Sequence, residues 1–136
     1  GQFQCAMHIR RNSALNVYNS VFTGWPYGLF LDKANAGAVV KNVVFAGMWK
    51  EAKDDASAAY FLTAGLGNSS FASTNDVIKT NGLYSSVDAT KVTGASFTDA
   101  AISDSFFSKV TYKGAFDGTT DWTSGWANWD PQNTDY

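Results

Sequence analysis

Apolar residues along the chain come in short runs broken by Asn, Gly or Ser, and one such pattern returns after 23 residues. Val17-Tyr18-Asn19-Ser20-Val21-Phe22-Thr23-Gly24 reappears as Val40-Lys41-Asn42-Val43-Val44-Phe45-Ala46-Gly47, with five of the eight positions identical. The same offset sets Ala6-Met7-His8-Ile9 against Leu29-Phe30-Leu31-Asp32. β-Branched and aromatic runs punctuated in this way suit short strands joined by tight turns. A helix would need apolar positions at i, i+3, i+4 and i+7, which the Asn and Gly interruptions defeat. A fixed period of this length marks a repeat architecture, and the pattern predicts an all-β fold: the terminal coils of a right-handed parallel β-helix. The alternative is a β-sandwich holding two segments alike by chance; agreement of two stretches on one period weighs against it.

In such coils, equivalent residues stack at about 4.8 Å. Phe22 is then expected over Phe45, Val17 over Val40, and Asn19 over Asn42. Inward Asn amides bonded to one another from coil to coil would satisfy polar groups at the turn. Gly24 and Gly47 are expected to supply the positive φ that turns the next corner. Beyond Met48 the period fades. Lys50 to Ala59 reads as a short helix or exposed loop, and Ala59 to Thr63 as a further core strand. Gly65 to Thr74 and Asn75 to Ser86 read as loops with small strands, anchored by Val77-Ile78 and Leu83-Tyr84.

Composition narrows the class. Hydrophobic residues make up 45% and charged residues 16% of the 136, enough for one folded domain, with no run long enough for a transmembrane helix. The net charge of -2 and the absence of a Lys/Arg cluster beyond Arg10-Arg11 argue against nucleic acid as a partner. The single cysteine, Cys5, has no internal disulfide partner and reads as a small core residue. The strand pattern begins at once, over Gln2 to Arg11, without an initiator Met or leader. The chain is therefore expected to be one domain, 1–136, and the C-terminal fragment of a larger protein whose N-terminal remainder it contacts. Residues 1–65 would form the coils, and 66–136 a loop-rich last coil and aromatic cap that covers the exposed end.

The C-terminal block carries Phe106-Phe107-Ser108-Lys109-Val110-Thr111-Tyr112-Lys113-Gly114-Ala115-Phe116, then Asp121-Trp122 and Gly125-Trp126-Ala127-Asn128-Trp129-Asp130-Pro131-Gln132. With Ile9-Arg10-Arg11-Asn12 and Asn19 to Pro26, it resembles the C-terminal end of a large, poorly characterised family of secreted and surface β-helix proteins of Bacteroidota-type bacteria. The resemblance covers most of the chain in two blocks with a weaker middle, where Lys91-Val92-Thr93-Gly94 replaces a Ser-Gly-Ser-Pro turn. It implies a secreted or outer-membrane surface location and brings no catalytic residues.

Trp122, Trp126 and Trp129, with Tyr112 and Tyr136, offer a platform on which sugar rings stack, because a flat apolar face suits a pyranose and the indole N–H can bond a hydroxyl. The competing and preferred reading makes them a plug in the end of the coil. For Trp25 and Tyr27, flanking Pro26, the two readings stand level. His8, the one histidine, reads as structural. Of Arg10 and Arg11, one is expected in an ion pair and the other in solvent; a base for β-elimination is the sharper alternative. Glu51, Asp54 and Asp55 interleave with Lys50 and Lys53 as a solvated face. Asp130 to Asp135 has closely spaced oxygens for Ca²⁺ but lacks the Gly and bidentate Glu of a calcium loop, so no cofactor is expected.

The residues thus point first to a non-catalytic extracellular or cell-surface protein, structural or glycan-binding, whose partners are polysaccharide or other envelope proteins. The alternative is the end of a polysaccharide lyase or glycoside hydrolase with its active groove in upstream coils.

Overall fold

The computed structural model describes residues 3–33, 37–81 and 84–135. Gln2, Leu83 and Tyr136, given roles above, lie outside the described residues. The strands are β1 (Cys5–Arg10), β2 (Asn16–Tyr18), β3 (Val21–Thr23), β4 (Tyr27–Asp32), β5 (Val39–Lys41), β6 (Val44–Ala46), β7 (Lys50–Ala52), β8 (Ser69–Phe71), β9 (Ile78–Asn81) and β10 (Tyr84–Val87), with one helix, α1 (Asp55–Phe61).

The expected right-handed parallel β-helix is corrected. Among the described residues the strands form four small sheets: parallel β1-β4-β7, parallel β3-β6-β8, parallel β2-β5 and antiparallel β9-β10. A helix interrupts the strands, and after β10 the described chain holds no further strand, only turns, an isolated bridge between Thr93 and Tyr112, and a 3-10 turn at Pro131–Asn133. Nor is one period kept. Val17 pairs with Val40 and Phe22 with Phe45, 23 residues on. Met7, however, pairs with Leu29, at 22, and Val44 with Ser69, at 25. The first of these is a one-residue slip from the expected match of Ala6 with Leu29, and burial decides it. Alternate strand residues face opposite sides, and the observed register puts Met7 and Ile9 in the core beside Leu29.

Strand β6 lies between two cores. Phe45 joins Met7, Ile9, Leu29, Val40, Val43 and Phe61 on one side. Val44 and Ala46 face Val77, Val87 and Val92 on the other. A strand buried on both faces needs a continuous apolar run, which Val43 to Ala46 supplies. Phe22 lies beside Phe45 with ring centroids 6.0 Å apart.

Helix α1 replaces the strand expected over Ala59 to Thr63. Asp54 caps it, its carboxylate accepting the Ser57 N–H at 2.8 Å. Ala56, Ala58 and Ala59 are strong helix formers. Ser57 and Phe61, four residues apart, share the buried face. Phe61 stacks on Phe45 at 4.8 Å and 19°. Ser57 Oγ accepts the Leu31 N–H, while the Tyr60 hydroxyl accepts from Val40 N–H and donates to the Ala38 carbonyl, so the helix also satisfies polar groups of the neighbouring strands.

The corner residues have the left-handed backbone that the turns require: Asn19 at φ 48, Asn42 at 55, Gly24 at 76 and Gly47 at 67. The expected Asn-to-Asn amide ladder is corrected at Asn19, whose carboxamide bonds Ser96 through both its oxygen and its nitrogen, at 3.0 and 2.9 Å. Asn68 does the satisfying of strand groups instead: it accepts from Val43 N–H and donates to the carbonyls of Val40 and Phe61.

Replacing Phe45 by Ala is expected to lower the free energy of unfolding by about 3–5 kcal/mol, through lost burial and the cavity left between the sheets and α1. Replacing Asp54 by Ala is expected to cost about 1 kcal/mol through the lost cap. Urea titrations of both variants check this ranking, and equal losses at the two sites would contradict it.

Candidate functional site

Two surface features combine exposed aromatic and polar chemistry. The first is the aromatic row of the C-terminal block. Its backbone is held by short carboxylate turns: Asp117 accepts the N–H groups of Thr119 and Thr120 at 2.8 and 2.7 Å, and Asp121 accepts that of Thr123 at 2.9 Å. On this frame Phe116 and Trp122 stack with centroids 5.4 Å apart, and Trp126 follows Trp122 at 5.4 Å and 37°. Trp122, Trp126 and Trp129 expose 52%, 69% and 44% of their surface. They therefore do not plug the interior, which corrects the preferred reading of these residues. Each indole N–H is already engaged: Trp122 with the Ala115 carbonyl, Trp126 with the Trp122 carbonyl, and Trp129 with Thr123 Oγ1. What Trp126 offers a partner is a ring surface.

Trp25 and Tyr27 are half-buried around the turn from β3 into β4. The next turn repeats this corner: Trp49 N–H bonds the Pro26 carbonyl at 2.9 Å, and Trp49 itself is 80% exposed. Trp49 went unnoticed in the sequence, although it follows Gly47 much as Trp25 follows Gly24.

The second feature, also not anticipated, is a polar cleft of about 290 Å³ beside β2 and β5, walled by Tyr18, Lys41, Asn42, Ser96 and Asp99 among others. Lys41 Nζ and Asp99 Oδ2 are 2.9 Å apart. Asp99 holds the Lys41 pKa above its ordinary value, and Lys41 lowers that of Asp99. The Tyr18 pKa is raised, first by burial and then by its hydrogen bond to Asp99. At neutral pH the cleft therefore carries an ammonium, a carboxylate and a protonated phenol. Tyr18 also borders a more apolar hollow of about 420 Å³ lined by Val17, Ile102 and Phe107. Residues 96–107 come from a stretch with no strand or repeat signal, so only the fold reveals their position opposite Tyr18.

The remaining candidates have structural tasks. Arg10 Nε reaches Asp32 at 2.6 Å and lowers its pKa, with His8 Nε2 at 3.4 Å from the same oxygen. Arg11 sits in the following turn at φ 53. Burial pushes the Cys5 thiol up, which leaves it a poor nucleophile at neutral pH. Asp54 is occupied as the helix cap, which pulls its pKa down. Both oxygens of Asp130 accept from Asn133 Nδ2, at 2.8 and 3.0 Å. Among the described residues, no group of three or more His, Cys, Asp or Glu side chains is placed to hold a metal ion, and no helix is long and apolar enough to cross a membrane.

Lys113 is 6% exposed and donates to the Gly67 carbonyl at 3.0 Å, its pKa lowered by burial. Gly114 follows at φ 96, and its N–H bonds the Asn19 carbonyl at 2.7 Å; a Cβ there would meet Val87 at 3.1 Å. The Lys-Gly pair thus seats the C-terminal block against the sheets. No family model, curated protein or solved structure matches the chain.

The Thr120 and Thr119 N–H groups hold the Asp117 carboxyl at about 2, against an ordinary 3.8. A folded value below the unfolded one contributes stability that is complete above the unfolded value and lost as pH falls through the folded one. The amide shifts of Thr119 and Thr120, followed by NMR, are expected to titrate with a midpoint of about 2. A midpoint at 3.8 would show that the turn does not form as described.

Proposed function

We propose that the protein is a non-catalytic, extracellular or cell-surface glycan-binding protein, and that Trp126, supported by Trp122 and Phe116, is its contact with the polysaccharide. The observation that carries this reading is the 69% exposure of a Trp ring whose N–H is already bonded within the protein. Leaving large aromatic surface in water is unfavourable, and clustered exposed rings mark interaction sites. A pyranose presents an axial C–H face that packs on an indole without needing its N–H. A site on a turn tied by carboxylate bonds also keeps its shape before binding, which limits the entropy lost on association. The proposed surface location follows from the resemblance of the C-terminal block to secreted proteins.

Asp32, Asp54, Asp88, Asp99 and Asp117 have lowered pKa values, the opposite of the shift a glycosidase general acid needs, so none of these five is cast in that role.

Affinity electrophoresis against neutral β-glucan, xylan and mannan, with reducing-end analysis of the same mixtures, tests the proposal. Retardation by at least one polysaccharide without chain cleavage is expected, with Trp126→Ala weakening it about tenfold. Equal retardation of wild type and variant would remove Trp126 from the site. Release of new reducing ends would replace the binding role by an enzymatic one.

A further inference from the structure

The cleft between β2, β5 and residues 96–99 shares no wall residue with the Trp126 row, and its walls are fixed from both sides. One rim is the turn at 65–67: Asn42 N–H bonds the Leu66 carbonyl at 2.7 Å, and buried Lys113 bonds the Gly67 carbonyl at 3.0 Å. The other rim begins at Ser96, whose backbone is clasped at both its N–H and its carbonyl by the Asn19 carboxamide. Two segments distant in sequence are thus held open opposite Tyr18, as a preformed binding site requires.

We infer that this cleft is a second binding site, and that it takes a single neutral sugar unit, such as the end residue or a side branch of a glycan. The chemistry of the walls selects this class. Lys41 and Asp99 neutralise each other, so neither an anion nor a cation finds net attraction. A zwitterion meets two charges whose attraction is already largely spent on each other across 2.9 Å. A divalent cation would meet one carboxylate with an ammonium beside it, too few hard oxygen ligands to replace its water. A hydroxyl-rich neutral ligand does not need the pair broken. The ammonium has three N–H donors and gives one to Asp99, and carboxylate, hydroxyl and amide groups on the other walls serve as further partners. The volume of about 290 Å³ suits one small ring, and Tyr18, which the cleft shares with the more apolar hollow, offers that ring an aromatic wall.

The test is a ¹H–¹⁵N NMR titration of the full chain with methyl glucoside, methyl galactoside and methyl mannoside, with glucuronate and glucosamine as charged comparators. Saturable shifts at Tyr18, Ser96, Thr98 and Asp99 are expected with at least one neutral glycoside, more weakly or not at all with the charged sugars. Asp99→Asn is expected to weaken binding about tenfold by removing a charged acceptor. Tyr18→Phe keeps the ring and the fold while deleting the hydroxyl, so a smaller but clear loss is expected there even if Asp99→Asn disturbs residues 96–107. Shifts of the cleft residues are read separately from those of the Trp126 indole N–H, which separates this site from the aromatic row: either can fail alone. No saturable shift in the cleft with any neutral glycoside, tighter binding of a charged comparator, or unchanged binding by both cleft variants would overturn the assignment.

Discussion

Double burial of β6 is the constraint on which the rest of the structure depends. Its edges are hydrogen-bonded to β3 and β8, and its faces are covered by separate apolar clusters. A three-residue strand enclosed in this way tolerates no polar side chain and no register slip, since either would leave an unsatisfied group in a dry interior. The arrangement explains why α1 is where it is: Phe61 covers the Phe45 side. It equally explains why the tail returns, because Val87 and Val92 cover the Val44 side. Both candidate sites draw residues from that returning tail.

The local pairings were legible because they depend on side-chain type at fixed spacing. Val17 with Val40 and Phe22 with Phe45 follow from identical residues repeated in the sequence, and the left-handed corners at Gly24 and Gly47 follow from glycine. The global architecture was not legible, because a repeat seen over two units does not show whether it continues. Here the capping carboxylate of Asp54 and the alanines after it divert the chain into a helix, and the step from β6 to β8 lengthens to 25. The helix that replaces a strand at Ala59 to Phe61 has the same origin. Tyr60 and Phe61 look like strand residues until the cap upstream is given its weight.

The candidate sites divide along a similar line. Trp122, Trp126 and Trp129 stand out in the sequence, but whether they face inward or outward depends on turns set by Asp117 and Asp121 and on where Lys113 and Gly114 dock. The cleft at Lys41 was invisible, since its partner Asp99 lies 58 residues away in a segment without periodicity. In the C-terminal block the Lys-Gly pair docks, the aspartates shape turns, and the tryptophans are displayed.

Gly28 lies in β4 with its backbone under the Phe45 ring. A β-carbon at position 28 would fall 2.4 Å from that ring and 2.5 Å from the Glu51 carbonyl oxygen. Methyl group and benzyl ring are thus rival tenants of one volume, and neither position is free to drift while the other stays as it is. A descendant chain that acquires a side chain at 28 would have to shrink residue 45 and also shift the Glu51 backbone, and with that loosen the seat of Phe61 and the helix. Packing at the centre thereby ties the evolutionary fate of a glycine to that of an aromatic residue in a neighbouring sheet.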